Sequence, residues 1–164
     1  MKKKTKAVIP GSYDPITLGH LDIIKRSSEI FDEVCVLICV NTAKSALLDP
    51  YDRKAVADDA ISGIDNAYTD VCRGLFADYV HENGFNVVVK GIRNNADFEY
   101  ENGLFHINSA ISGEKYGEFC ETVYMPSRPE HAVFSSSLVR ELIKFNSDFS
   151  FLVHDSKLIK SFLK

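Results

Sequence analysis

Residues 6–20 read Lys-Ala-Val-Ile-Pro-Gly-Ser-Tyr-Asp-Pro-Ile-Thr-Leu-Gly-His. The apolar run Ala7-Val8-Ile9 predicts a buried strand. Pro10, Gly11, Asp14 and Pro15 break it, and a helical pattern opens near Thr17. Thr17 reads as the N-cap, with Leu18, Gly19 and His20 as the first turn; Asp14 before Pro15 is a competing start. Thr17 is preferred because it puts Gly19 and His20 where helix N–H groups are still unpaired. A strand, a short turn and a helix N-terminus together offer free N–H groups and the positive end of a dipole to a phosphate. Gly19, without a side chain, lets a ligand come close to the backbone. Taken alone, a Gly-His pair at such a turn is more often an ordinary connection with a surface histidine.

Further along, Leu21, Ile24, Ser28 and Phe31 recur at helical spacing. Residues 34–40 are almost wholly apolar, the mark of a strand buried on both faces. Asp49-Pro50 reads as N-cap and first position of a second helix ending near Gly63. A short strand is predicted at 68–71, a short helix over 75–83 closed by Gly84, and a β-branched strand at 86–90. Residues 91–94 read as a loop, 95–112 as a long helix, 121–125 as a fifth strand and 126–134 as a loop. Ser136 is read as the cap of a helix carrying Leu138, Val139, Leu142 and Ile143, and one or two short helices follow from Phe149. This alternation predicts an α/β chain: a single Rossmann-like, doubly wound domain over residues 1–164, with a five-stranded parallel sheet and helices on both faces. Ligands of such sheets bind beyond the carboxyl ends of the strands, which gathers residues 11–20, 41–45, 91–94 and 126–137 at one rim.

Composition narrows the function classes. The 164 residues suffice for one domain with a sizeable core, and the net charge of -4 argues against a broad nucleic-acid surface. The apolar run after Lys2-Lys3-Lys4 is too short for a signal peptide, and nothing approaches the ~20 apolar residues of a membrane span, so no membrane partner and a cytoplasmic location are expected. Cys35, Cys39, Cys72 and Cys120 form no Cys-x-x-Cys pair, so no zinc or redox motif is expected. Cys35 and Cys39, evenly spaced, read as core filler on one side of a strand in a reducing compartment.

Gly-x-Gly-x-x-Gly and Gly-x-x-x-x-Gly-Lys-Ser/Thr are both absent. A phosphate site must therefore be built from His20, lysines, arginines and helix N-termini. Ser135-Ser136-Ser137 offers three hydroxyls at a helix start, where capping alone needs one. Lys90-Gly91-Ile92-Arg93 sets two cations around a glycine at a strand end; an exposed charged loop is the bland reading.

Together these pieces resemble a known family. Gly-Ser-Tyr-Asp-Pro-Ile-Thr-Leu-Gly-His at 11–20 resembles the (His/Thr)-x-Gly-His signature of the nucleotidyltransferase superfamily, in the form seen in phosphopantetheine adenylyltransferases. Phe134-Ser135-Ser136-Ser137 is similar to that family's Ile-Ser-Ser-Ser triphosphate motif. Residues 90–93 are similar to its Arg-Gly-Leu-Arg, with Lys90 keeping the charge but not the bidentate fork. Ala96-Asp97-Phe98-Glu99-Tyr100-Glu101 matches closely, and the resemblance runs from Lys6 to about Val153.

The resemblance implies an enzyme that joins ATP, with Mg2+, to 4′-phosphopantetheine, giving 3′-dephospho-coenzyme A and pyrophosphate. It implies His20 on the α-phosphate and Ser12 beside both substrates as the catalytic pair. Tyr13, Gly91, Ile92, Arg93 and Glu101 are implied on ATP, as are His131, Ala132, Val133, Phe134 and Ser135 to Ser137. On the acceptor side it implies Lys44 and Lys90 at the phosphate and Phe76 along the pantetheine arm. A homohexamer and feedback by coenzyme A are further implications. Two alternatives stand beside this one. The first is another superfamily transferase, acting on nicotinamide mononucleotide or making a CDP-alcohol. Those usually carry His-x-Gly-His, where this chain has Thr17. The second is a nucleotide-binding module without turnover.

Overall fold

The apolar opening of the chain forms β1 (Lys6–Gly11), the middle strand of a five-stranded sheet in the computed structural model, which describes residues 4–40, 45–118 and 120–163. β2 (Glu33–Cys39), β3 (Ala67–Cys72), β4 (Val87–Ile92) and β5 (Glu121–Pro126) complete it in the order β3-β2-β1-β4-β5, each neighbouring pair parallel. Parallel neighbours need crossovers, and helices supply them: α1 (Leu18–Ile30), α2 (Pro50–Ile61), α3 (Phe76–Glu82) and α4 (Asn95–Tyr116). After β5 come α5 (Ser136–Lys144), a 3-10 turn at Ser150–Leu152 and α6 (Ser156–Phe162).

The period-two alternation of the strands divides the core into two layers. Ala7, Ile9, Val34, Val36, Ile38 and Val89 face α1, α2, α5 and α6. Val8, Cys35, Leu37 and Val88 face the opposite side, where Val80 of α3 and Phe85 close the layer. Residues 34–38 are fully buried because both faces are covered. Cys35 is buried among the second layer and Cys39 packs on its edge, so the two thiols share one side of β2 as their spacing predicts.

Several boundaries differ from the sequence reading. β4 continues through Gly91 and Ile92, which pair with Met125 and Pro126, so these two are strand rather than loop residues. The approach there is close: a Cβ at Gly91 would stand 3.1 Å from Cγ1 of Ile23 on α1. α4 runs a further turn, to Tyr116, and stops at Gly117 with φ +73°. Its last turn is held by Asp78 of α3, which accepts from Lys115 Nζ at 2.7 Å and from the Tyr116 hydroxyl at 2.8 Å. The cap of α5 is Ser135, not Ser136: Leu138 N–H donates to the Ser135 hydroxyl at 3.2 Å.

β2 leaves β1 on one side and β4 adjoins it on the other, so the strand order reverses at the β1–β4 boundary. A parallel sheet opens a crevice at that point beyond its carboxyl ends.

Candidate active site

The crevice is a cavity of about 620 Å3, a volume suited to small-molecule ligands. Gly11, Ser12 and Tyr13 enter it from the end of β1, Gly19 and His20 from α1, and Lys90, Gly91 and Arg93 from the end of β4. Glu101 reaches it from α4, and His131, Phe134, Ser135, Ser136 and Ser137 come from the segment leading into α5. Phe76 of α3 lines it as well. Ile92, Ala132 and Val133 do not line it. The Ile92 carbonyl is occupied by Ser127 N–H at 2.8 Å, and Val133 is 72% exposed. Lys44 lies outside the described residues.

The first turn of α1 fixes the histidine. Thr17 N–H donates to His20 Nδ1 at 3.0 Å, the reach-back half of a capping box. An Nδ1 that accepts this bond carries no proton, so the neutral ring bears its proton on Nε2. Burial, aided by the charge of Arg93, lowers the His20 pKa to about 4. Tyr13 meets the imidazole edge-on, with ring centroids 5.2 Å apart. That ring is 2% exposed, its hydroxyl donates to the Ile9 carbonyl at 2.8 Å, and its backbone holds φ +46°, a strained value for a tyrosine. The segment before α5 packs over Gly19: a Cβ there would lie 3.4 Å from the Phe134 carbonyl and 3.5 Å from that of His131, ordinary van der Waals contact.

Each cation on the β4 side has a carboxylate partner. Lys90 Nζ stands 2.8 Å from Glu101 Oε2. Arg93 donates from Nε and Nη2 to the two oxygens of Asp97, at 2.8 and 3.0 Å, and from its backbone N–H at 3.1 Å. This holds the Asp97 carboxyl below its usual range. Asp97 N–H in turn donates to the Asn94 side chain, the cap of α4, so the arginine is anchored to a helix start.

The serine triplet divides its work. The Ser135 hydroxyl caps α5, the Ser136 hydroxyl donates to the Pro15 carbonyl at 2.8 Å, and Ser137 accepts from Arg140 Nη2 at 3.1 Å. What the start of α5 offers an anion is chiefly the N–H groups of its first turn, in line with its dipole. Arg140 also donates to the Asp14 carbonyl at 2.7 Å. Asp14, 5% exposed, accepts from Leu47 and Leu48 N–H at 2.8 and 2.9 Å, joining the turn after β1 to the start of the α2 segment.

The sequence reading missed Arg53, Asp97 and Arg140, all of which line the crevice. Asp97 was within reach, four residues beyond Arg93 on a predicted helix, and so was Arg140, three beyond Ser137. Arg53 carried no such signal, since an arginine in a helix's first turn ordinarily faces water. The chemistry open to these groups is the holding of phosphates: a neutral N–H donor, a clamped guanidinium and a helix N-terminus around one cavity.

A sequence-family model described as cytidylyltransferase-like matches residues 8–142. The phosphopantetheine adenylyltransferase of Thermotoga neapolitana is 43% identical over 143 residues, covering 87% of this chain and 85% of its own. That of Clostridium novyi is 38% identical over 157 residues, covering 96% and 94%. Among solved structures, one described as a candidate nicotinate-nucleotide adenylyltransferase of Vibrio parahaemolyticus superposes with a TM-score of 0.68 at 18% identity, covering 97% of this chain and 93% of that one. A lipopolysaccharide core biosynthesis protein of Thermoplasma volcanium gives 0.56 at 21% identity, covering 77% and 99%. At those identities the structures establish the fold alone.

Proposed function

The chain belongs to the phosphopantetheine adenylyltransferases of the cytidylyltransferase-like family, and from that premise we propose how its residues join ATP to 4′-phosphopantetheine. A phosphate oxygen of the acceptor attacks the α-phosphorus in line. The bond from that phosphorus to the bridging oxygen breaks, and pyrophosphate leaves with the electron pair. The attacking oxygen is already anionic, so no general base is needed. Catalysis is by alignment and by stabilising charge as it grows on the α-phosphate.

His20 supplies the Nε2–H donor to the α-phosphate, and Ser12 sits beside the reacting oxygens. Arg93 and the start of α5 take the β- and γ-phosphates, while Tyr13, Gly91, Glu101, His131 and Phe134 enclose the nucleoside end. Lys90, together with Lys44, takes the acceptor phosphate, and Phe76 walls its arm. The observation that carries this reading is the bond from Thr17 N–H to His20 Nδ1, which leaves the ring's proton on Nε2 in a cleft shared with Arg93 and α5.

Mg2+ enters as part of the substrate, on the phosphates of ATP. In support, the cleft carboxylates Glu101 and Asp97 are engaged by Lys90 and Arg93. No helix of the described residues is long and apolar enough to cross a membrane. The family resemblance extends the reading to a cytoplasmic enzyme working as one domain over residues 1–164. It assembles as a homohexamer, for which the exposed apolar side chains of α4 offer a surface. Coenzyme A, which carries the acceptor's own arm, competes for the acceptor half of the cleft as a feedback inhibitor.

The test is pyrophosphate release from MgATP with 4′-phosphopantetheine, with nicotinamide mononucleotide, and with no acceptor. Release with the first alone is expected. Release with nicotinamide mononucleotide in its place, or ATP binding with no release at all, would overturn the reading.

A further inference from the structure

Among the described residues, four cations and three carboxylates line the cleft: Arg53, Lys90, Arg93 and Arg140 against Asp14, Asp97 and Glu101. Lys90 pairs with Glu101 and Arg93 with Asp97, and Arg140 stands 3.8 Å from Asp14. Arg53 is the exception. It is 4% exposed, yet among the described residues no carboxylate comes within ion-pair distance of it. Its protein acceptors are two backbone carbonyls. Nε donates to Leu48 at 3.0 Å and Nη1 to Ser12 at 3.1 Å. Nη2 has no acceptor among the described residues. A buried guanidinium without a counter-charge is costly unless an anion completes its surroundings.

Its two acceptors place the guanidinium behind Ser12. One is the backbone of Ser12, the residue at the end of β1. The other is Leu48, whose N–H is at the same time held by Asp14 Oδ1 at 2.9 Å. Arg53 therefore locks the end of the central strand to the segment that enters α2. We propose that Arg53 is a positioning residue for the transfer: it sets the Ser12 hydroxyl and supplies, from behind Ser12, the positive charge that the acceptor's phosphomonoester needs. The inference rests on the reading of the cleft as an adenylyltransferase site and adds to it a buried cation, acting through Ser12, that it assigns to the phosphate of the acceptor because Arg93 and the start of α5 are already assigned to those of ATP.

The experiment compares wild type with Arg53→Met and Arg53→Lys. Calorimetry gives the affinities for 4′-phosphopantetheine, for pantetheine, which lacks the phosphate, and for a non-hydrolysable ATP analogue; steady-state assays give KM for each substrate. Arg53→Met should weaken 4′-phosphopantetheine by about tenfold or more, while pantetheine and the ATP analogue change by less than about twofold. Arg53→Lys, which keeps the charge but cannot span both carbonyls, should fall between. Equal loss for phosphorylated and unphosphorylated acceptor, equal loss for acceptor and nucleotide, or no loss in any variant would overturn the proposal. Should Arg53→Met fail to fold by circular dichroism, the same comparison in Arg53→Lys decides it. Pyrophosphate release by wild type separates the two levels: a wild type that turns over while the Arg53 variants fail to discriminate defeats this proposal alone, and a wild type without turnover defeats the parent reading as well.

Discussion

His20 is set by Thr17, whose backbone N–H and hydroxyl both meet Nδ1, at 3.0 and 2.9 Å, and the consequences can be measured. Removing a preorganised donor of this kind typically costs ~10²–10³ in rate, so His20→Ala should lower kcat by that order while the affinity for ATP changes only a few-fold. Retained turnover would remove the imidazole from the mechanism. The same residue links stability to pH. Its pKa is 6.5 in an unpaired, solvated chain and about 4 in the fold. Between those values the unfolded chain binds the extra proton, so acidification favours unfolding; the contribution is complete above about pH 6.5 and is lost as pH falls toward about 4. Thermal melts of His20→Gln should fall less steeply with pH across that window than those of wild type. Arg93 offers a third test. Asp97→Asn weakens its clamp, and because the pair is partly exposed the loss of stability should stay under about 1 kcal/mol. A several-fold rise in KM for ATP, with KM for the acceptor unmoved, is the expected kinetic sign that the clamp aims the guanidinium.

At the scale of elements, close approaches decide where strands and helices can meet. Gly91→Ala brings a methyl to 3.1 Å from Ile23, so the isoleucine side chain must give by a few tenths of an ångström or β4 and α1 move apart, at a cost of about 1–3 kcal/mol. The melting temperature should drop by several degrees, and Ile23→Ala should cost less in that background than in wild type, a coupling that a double-mutant cycle reads directly. This contact also explains a boundary. Gly91-Ile92 looks like a loop in sequence because glycine weakens a strand, whereas in space β5 supplies the ladder that extends it. The end of α4 was hidden in the same way, since its last turn is held by Asp78 on another helix. Local signals were sufficient elsewhere. The apolar run of β2, the Thr17 cap and the Asp49-Pro50 start were all legible, because each is decided by neighbours in the chain. The cleft was legible in its motifs, but not in Arg53, whose burial depends on β1 and α2 meeting.

For the whole molecule, the outer surface of α4 is its least satisfied part. Of its 22 residues only Ser112 is buried, while Phe98, Tyr100 and Ile107 are 44, 61 and 57% exposed. Val123 of β5 adds a further exposed apolar side chain, at 40%. If this face is where copies meet, Ile107→Lys should convert the assembly to smaller species in sedimentation velocity without changing the circular dichroism spectrum. Unchanged sedimentation would place the contact elsewhere. The strand order has a separate consequence. The central strand is the first one made, yet its neighbour β4 arrives only after β2 and β3 are in place, and the serine-capped start of α5 comes after every strand. A chain emerging from the ribosome therefore carries its histidine long before it has anywhere to seat a triphosphate, and a nascent fragment that stops short of α5 should remain blind to nucleotide however well its sheet has formed.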